Sequence, residues 1–269
     1  MKRVLIVGNS HVAALRSGWE TLSASLQDRV DVAFFSAPVP FFDKLGFDAP
    51  LYGDVTPNTM THEHIETLAK INGHTRVDLE SFDEILLAGM YWPGRHEITH
   101  FLKAFAVDGL YDAEIKQRLT LTAFIEFYQA ILEHRAAGGF WSTLRRPNVT
   151  LMLSPMPVAI IRQLDAGALL WHEAWASPEI DMDKMRPILD YKSTLAQTYY
   201  ASRGIDLLPQ PATTLTEIGL TKDIYCRDRL DLAGSPDHKF DAYHMNGAFG
   251  AICLQAYFDR IMPGQAGVV

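Results

Sequence analysis

Ser10 closes the segment Val4-Leu5-Ile6-Val7-Gly8-Asn9-Ser10 near the start of the chain, and Asp241-Ala242-Tyr243-His244 stands near its other end. A serine hydroxyl is a weak nucleophile until a base takes its proton. An imidazole is a directed base when a carboxylate fixes its tautomer. Serine, histidine and aspartate are thus the set that acyl transfer through a covalent intermediate requires. If Val4–Val7 is a strand and a helix follows, Ser10 lies at the strand's carboxyl end, where open α/β sheets place ligands. The helix start adds unpaired N–H groups and a positive dipole end, which makes the Ser10 N–H a candidate oxyanion donor. A plainer role competes, because serine is a favoured N-cap. Asp-x-x-His alone is also common in loops, and Asn246 is placed to cap the last helix.

The elements that must position these residues are legible as short apolar runs separated by helical patterns. Val4–Val7, Val30–Phe35, Glu84–Ala88, Val149–Leu153 and Ile205–Leu208 read as five strands buried on both faces. Leu15, Trp19, Leu22 and Leu26 share one face of a first helix, and Ile98, Phe101, Leu102 and Phe105 mark another. Ala113–His134 reads as one long helix or two, Met182–Ser202 as the helix before the fifth strand, and Phe249, Ile252, Cys253, Ala256 and Tyr257 as the last. Strands alternating with helices predict an α/β fold with a parallel sheet covered on both faces. The 269 residues suffice for one sizeable core, so a single domain is expected. Residues 38–82, rich in Pro, Gly, Asp and Thr, read as an insertion or lid.

Gly8-Asn9-Ser10-His11 after strand one, with Asp241-x-x-His244-x-Asn246 before the final helix, resembles the SGNH hydrolase superfamily of GDSL-like esterases. The resemblance covers nearly the whole chain. It implies a flavodoxin-like three-layer α/β/α sandwich with five parallel strands. It also implies Ser10 as nucleophile, His244 as base and Asp241 as its partner. The activity implied is hydrolysis of an ester, such as an O-acetyl or short acyl ester of a carbohydrate, with no cofactor. An acyltransferase using the same triad is an alternative, and so is a degenerate member that binds a ligand without turnover. Two family blocks depart. Where the family has an oxyanion-donating glycine after strand two, this chain has Ser36-Ala37-Pro38; where it has an asparagine after strand three, it has Gly89-Met90-Tyr91-Trp92. The Ala37 and Gly89 N–H groups are the expected replacements, beside that of Ser10. Tyr91 and Trp92 either line an acyl or sugar pocket or belong to the core.

Other motifs compete less well. His96-Glu97-Ile98-Thr99-His100 matches the zinc signature His-Glu-x-x-His. The apolar face through Ile98, Phe101 and Leu102 turns both histidines toward the polar side, away from the dry pocket a zinc site needs, so no metal is expected. His62-Glu63-His64 reads as a surface loop, and Trp171 with Trp175 as helix packing. The sequon Asn148-Val149-Thr150 sits where strand four should bury it. A net charge of −8 with no basic block argues against nucleic acid or an anionic membrane as partner. The first apolar run stops after four residues, short of a signal peptide's core, and no run reaches the ~18 residues of a membrane span. With two cysteines that lack metal spacing, the expected address is the cytosol.

Overall fold

The computed structural model describes residues 1–38, 44–55, 59–90, 95–112, 117–136, 148–163, 175, 177, 179–227 and 241–263. Its strands, in chain order, are β1 (Lys2–Gly8), β2 (Val30–Ser36), β3 (Gly46–Asp48), β4 (Leu51–Gly53), β5 (Arg76–Asp78), β6 (Glu84–Met90), β7 (Phe105–Val107), β8 (Gln117–Leu119), β9 (Val149–Leu153) and β10 (Asp206–Leu208). The helices are α1 (Val12–Trp19), α2 (Ala24–Gln27), α3 (His62–Asn72), α4 (Arg95–Ala104), α5 (Leu121–Ala136), α6 (Arg186–Ala201) and α7 (Gly247–Ile261).

Five strands form an all-parallel central sheet in the order β2-β1-β6-β9-β10. The expected α/β fold with a five-stranded parallel sheet is therefore present, and the arrangement is that of a three-layer sandwich. Strand β1 is apolar and fully buried from Val4 to Val7, as a central strand covered on both faces must be. Numbered within the sheet, the strands run 2-1-3-4-5, the flavodoxin-like doubly wound order. The chain goes outward from β1 to β2, then returns past β1 to β6. Right-handed crossovers in the two directions put helices on opposite faces. The order reverses between β1 and β6, which opens a crevice beyond their carboxyl ends.

Residues 46–78 hold a small antiparallel sheet, β3-β4-β5, and helix α3. Thr61 caps α3 together with His64 in a reciprocal capping box, and His62 pairs with Glu66 across 3.1 Å. The His62-Glu63-His64 cluster is therefore the first turn of a capped helix and not the expected surface loop. Asn72, in the last turn of α3, ties the helix to the edge of the main sheet. Its side chain accepts from the Ser36 N–H at 2.8 Å and donates to the Ser36 carbonyl at 2.9 Å.

Several helix boundaries differ from the periodicity. The face from Leu15 to Leu26 is split: α1 stops at Trp19, and Thr21 turns back onto the Gly18 carbonyl before Ser23 starts α2. The helix expected from Ala113 begins at Leu121, because Gln117–Leu119 pairs with β7 and Thr120 caps α5 through the Ala123 N–H. Met182–Lys184 forms a separate 3-10 turn, and Pro187 in the first turn of α6 marks the new start. Asn148 spends its side-chain N–H groups on the Phe82 and Asp83 carbonyls at the foot of the sheet. Both cysteines are buried and unbridged. Among the described residues no helix is long and apolar enough to cross a membrane.

Candidate active site

Ser10 lies two residues beyond β1 in the turn leading to α1, at the crevice between β1 and β6. It is exposed, and its hydroxyl does not cap the helix: His11 holds the cap position without a side-chain bond. Instead, Ser10 Oγ lies 2.6 Å from His244 Nε2. On the far edge of the imidazole, Nδ1 lies 2.5 Å from Asp241 Oδ2. The two ends of the sequence thus meet in one relay.

Burial pushes the Asp241 carboxyl up, but the hydrogen bond and charge of His244 and two backbone N–H donors outweigh it, and the net is a carboxyl held below its ordinary value. An ionised carboxylate only accepts hydrogen bonds, so Nδ1 of His244 carries the proton. In the neutral ring, Nε2 then presents its lone pair to the serine hydroxyl, the tautomer a general base needs. The His244 and Asp241 side chains are only 15% and 13% exposed, while the serine faces outward. Water is largely kept from the imidazole and the carboxylate while the serine hydroxyl stays open to it.

The loop carrying His244 is fixed by its main chain. Asp241 Oδ1 accepts from the N–H groups of Tyr243 and His244 at 3.0 and 3.1 Å, an Asx-type turn that aims the imidazole. The Ala242 carbonyl accepts from Val158, the His244 carbonyl from Arg227, and the Asn246 N–H donates to Tyr225. Asn246 caps α7 through the Phe249 N–H at 3.1 Å, as expected. Helices α1 and α7 pack directly on each other. A Cβ at Gly250 would lie 1.9 Å from the Ala14 carbonyl oxygen, and one at Gly18 would lie 2.2 Å from the Ala251 nitrogen. This close approach couples the helix that starts beside Ser10 to the helix that starts beside His244.

The groups expected to complete an oxyanion site fare differently. The Ala37 N–H donates to the Gly8 carbonyl at 3.0 Å, which extends the β1–β2 ladder one residue past Ser36 and corrects the expectation that it faces the serine. The Ser36 N–H is held by Asn72, and Pro38 has none. The carboxyl end of β2 therefore offers no N–H from these three residues. Gly89 has φ +73°, and its carbonyl accepts from Asn9 Nδ2 at 2.5 Å and from the buried Ser154 hydroxyl at 2.8 Å. A side chain there would lie 2.3 Å from Asn9 Oδ1 and 2.6 Å from His11 Cβ. Glycine is required both for the conformation and for the room it leaves.

Asn9, His11 and Ser154 are the residues whose roles the sequence did not disclose. Asn9 bridges two segments, since its Oδ1 also accepts from the His11 N–H at 3.1 Å. The His11 ring stacks on His244, with centroids 5.0 Å apart and planes 26° from parallel. The available signal was position: all three stand just past the carboxyl ends of strands, where α/β sites assemble. Tyr91 and Trp92, expected to line a pocket, lie outside the described residues, as does Trp171. In the His-Glu-x-x-His segment, Ile98 and Leu102 are fully buried and His100 is exposed, so that histidine faces away from the core. Among the described residues no group of three or more His, Cys, Asp or Glu side chains is placed to hold a metal ion. No protein-family profile, curated protein or solved structure matches the chain.

Proposed function

We propose that this chain is an ester hydrolase of SGNH type, acting on a carboxylic ester of a small molecule or glycan through a Ser10 acyl-enzyme. The observation that carries the reading is the relay Ser10 Oγ–His244 Nε2 and His244 Nδ1–Asp241 Oδ2 at 2.6 and 2.5 Å. Its place at the reversal of strand order supports the same reading. Ser10 Oγ attacks the ester carbonyl while His244 takes its proton. The tetrahedral intermediate collapses, and His244 returns the proton to the departing alcohol. Water, deprotonated by His244, then attacks the acyl-enzyme, and the acid leaves as Ser10 regains its proton. Asp241 stays ionised and stabilises the imidazolium formed in each half-reaction. No step calls for a cofactor.

A second reading is favoured by one observation: the N–H groups of Ser36 and Ala37 are both spent. Losing one oxyanion donor costs ~10²–10³ in rate, so a protein that binds an ester without turning it over would keep the relay and lose the chemistry. Hydrolysis of p-nitrophenyl acetate and of a peracetylated monosaccharide, compared between the wild type and Ser10→Ala, separates the two. The hydrolase reading predicts turnover abolished by the substitution; activity equal in both proteins overturns it. Adding a free sugar acceptor and looking for its acetylated product identifies transfer to a hydroxyl in place of water.

A further inference from the structure

We infer that His11 is a positioning residue for the base, holding the His244 imidazole with its Nε2 edge turned to Ser10. The inference rests on the relay proposed above and extends it to a residue outside the triad. Hydrogen bonds at Nδ1 and Nε2 hold the His244 ring only at its edge, and a roll of the ring about its Cβ–Cγ bond carries both nitrogens off their partners. A hydrogen bond weakens steeply as its angle departs from linear, so roll degrades both bonds at once. A flat group against the ring face opposes that motion, and the His11 ring occupies that position at 5.0 Å and 26°.

His11 is itself held by the turn it belongs to. Its N–H donates to Asn9 Oδ1, and the same Asn9 side chain is anchored on the Gly89 carbonyl. Gly89 lies close beside it, where a Cβ would lie 2.6 Å from His11 Cβ and 2.8 Å from Cδ2. The β1–α1 turn, the end of β6 and the catalytic loop therefore converge on this ring. Misplacing a reacting group by about 1 Å can cost ~10²-fold, so a contact that limits roll acts on the rate of proton removal rather than on ligand binding.

The test measures the second-order rate at which an alkyl fluorophosphonate modifies Ser10, read by peptide mass mapping, with the thermal midpoint taken on each preparation. The proteins are the wild type and the variants His244→Ala, His11→Ala, His11→Leu and His11→Phe. His11→Ala and His11→Leu should slow labelling by about tenfold or more, because neither presents a flat face, and leucine also fills the volume so that a cavity is not the cause. His11→Phe should recover most of that loss, since its ring preserves the stack. Labelling of His11→Ala at the wild-type rate overturns the inference, and so does a phenylalanine variant as slow as the alanine one. A wild type unlabelled at Ser10, or a His244→Ala variant labelled as fast as the wild type, instead removes the relay itself and the inference with it.

Discussion

Asp241 uses its two oxygens for different tasks. Oδ2 holds the imidazole at 2.5 Å, while Oδ1 accepts from the Tyr243 and His244 N–H groups and so shapes the loop. Substitution can separate them. Asn keeps an acceptor for the turn but replaces the second oxygen with a donor, which opposes the proton on Nδ1 and favours the wrong tautomer. Asp241→Asn should lower kcat by up to ~10⁴ with little change in KM and a thermal midpoint close to the wild type. Asp241→Ala removes both functions, leaves two N–H groups without their acceptor, and should lower the midpoint as well, by the equivalent of about 1–3 kcal/mol. Measuring kcat and midpoint on both variants checks the division. An active, destabilised Asp241→Asn would mean that the carboxylate only builds the turn. At this scale the sequence was informative where a residue type is scarce in its role, as with Ser10 and His244. It was silent on Asn9 and His11, which sit in the same motif, because their partners are the Gly89 carbonyl and the face of another ring. Neither a backbone carbonyl nor a stacking geometry leaves a mark in residue order.

Helices α1 and α7 set the distance between Ser10 and His244. Each starts within a few residues of one of these two side chains, and they touch where Gly250 leaves no room for a side chain over the Ala14 carbonyl. Gly250→Ala tests this coupling. Alanine regains up to about 1 kcal/mol of helix propensity, but overpacking a filled contact costs about 1–3 kcal/mol. The obstructing atom is backbone, so the helices must part rather than a side chain turn aside. The variant should be less stable by thermal unfolding, and its folded fraction should hydrolyse ester more slowly than the wild type, because parting α1 from α7 lengthens the 2.6 Å bond. Equal stability and equal rate would show that the helices do not govern the relay. Element boundaries were the least legible feature. Periodicity ran Leu15 to Leu26 together and began α5 at Ala113, because an apolar face continues through a turn and into a strand. What stops the helix is local: Thr21 back-bonding to the Gly18 carbonyl and Thr120 capping α5. The end of β2 was missed for a different reason. Its N–H groups are claimed by Gly8 and Asn72, which only the assembled sheet and α3 bring near.

Across the molecule, the parallel order β2-β1-β6-β9-β10 brings residues 10, 241 and 244 into one crevice although more than 200 positions separate the first two. That much of the fold follows from apolar runs alternating with helical patterns, since buried parallel strands must be apolar throughout. Acid stability offers a global reading of the site. The folded Asp241 carboxyl lies below its ordinary value of 3.8, owing to His244 and the two backbone donors working against burial. Its contribution to stability is therefore fully present above the ordinary carboxyl range and is lost as pH falls through the lower, folded value. The stability difference between wild type and Asp241→Ala, from chemical unfolding at a series of pH values, should hold steady from neutrality down to about 5 and shrink below about 4. A difference independent of pH would place its origin elsewhere.

The central claim is that Ser10 is a nucleophile activated by His244, and covalent capture addresses it without knowledge of the natural ester. Treating the whole protein with a fluorophosphonate and mapping the adduct by peptide mass spectrometry should give a single modification on Ser10, abolished in Ser10→Ala and strongly slowed in His244→Ala. Modification of other serines alone, with Ser10 untouched in the folded wild type, would contradict it.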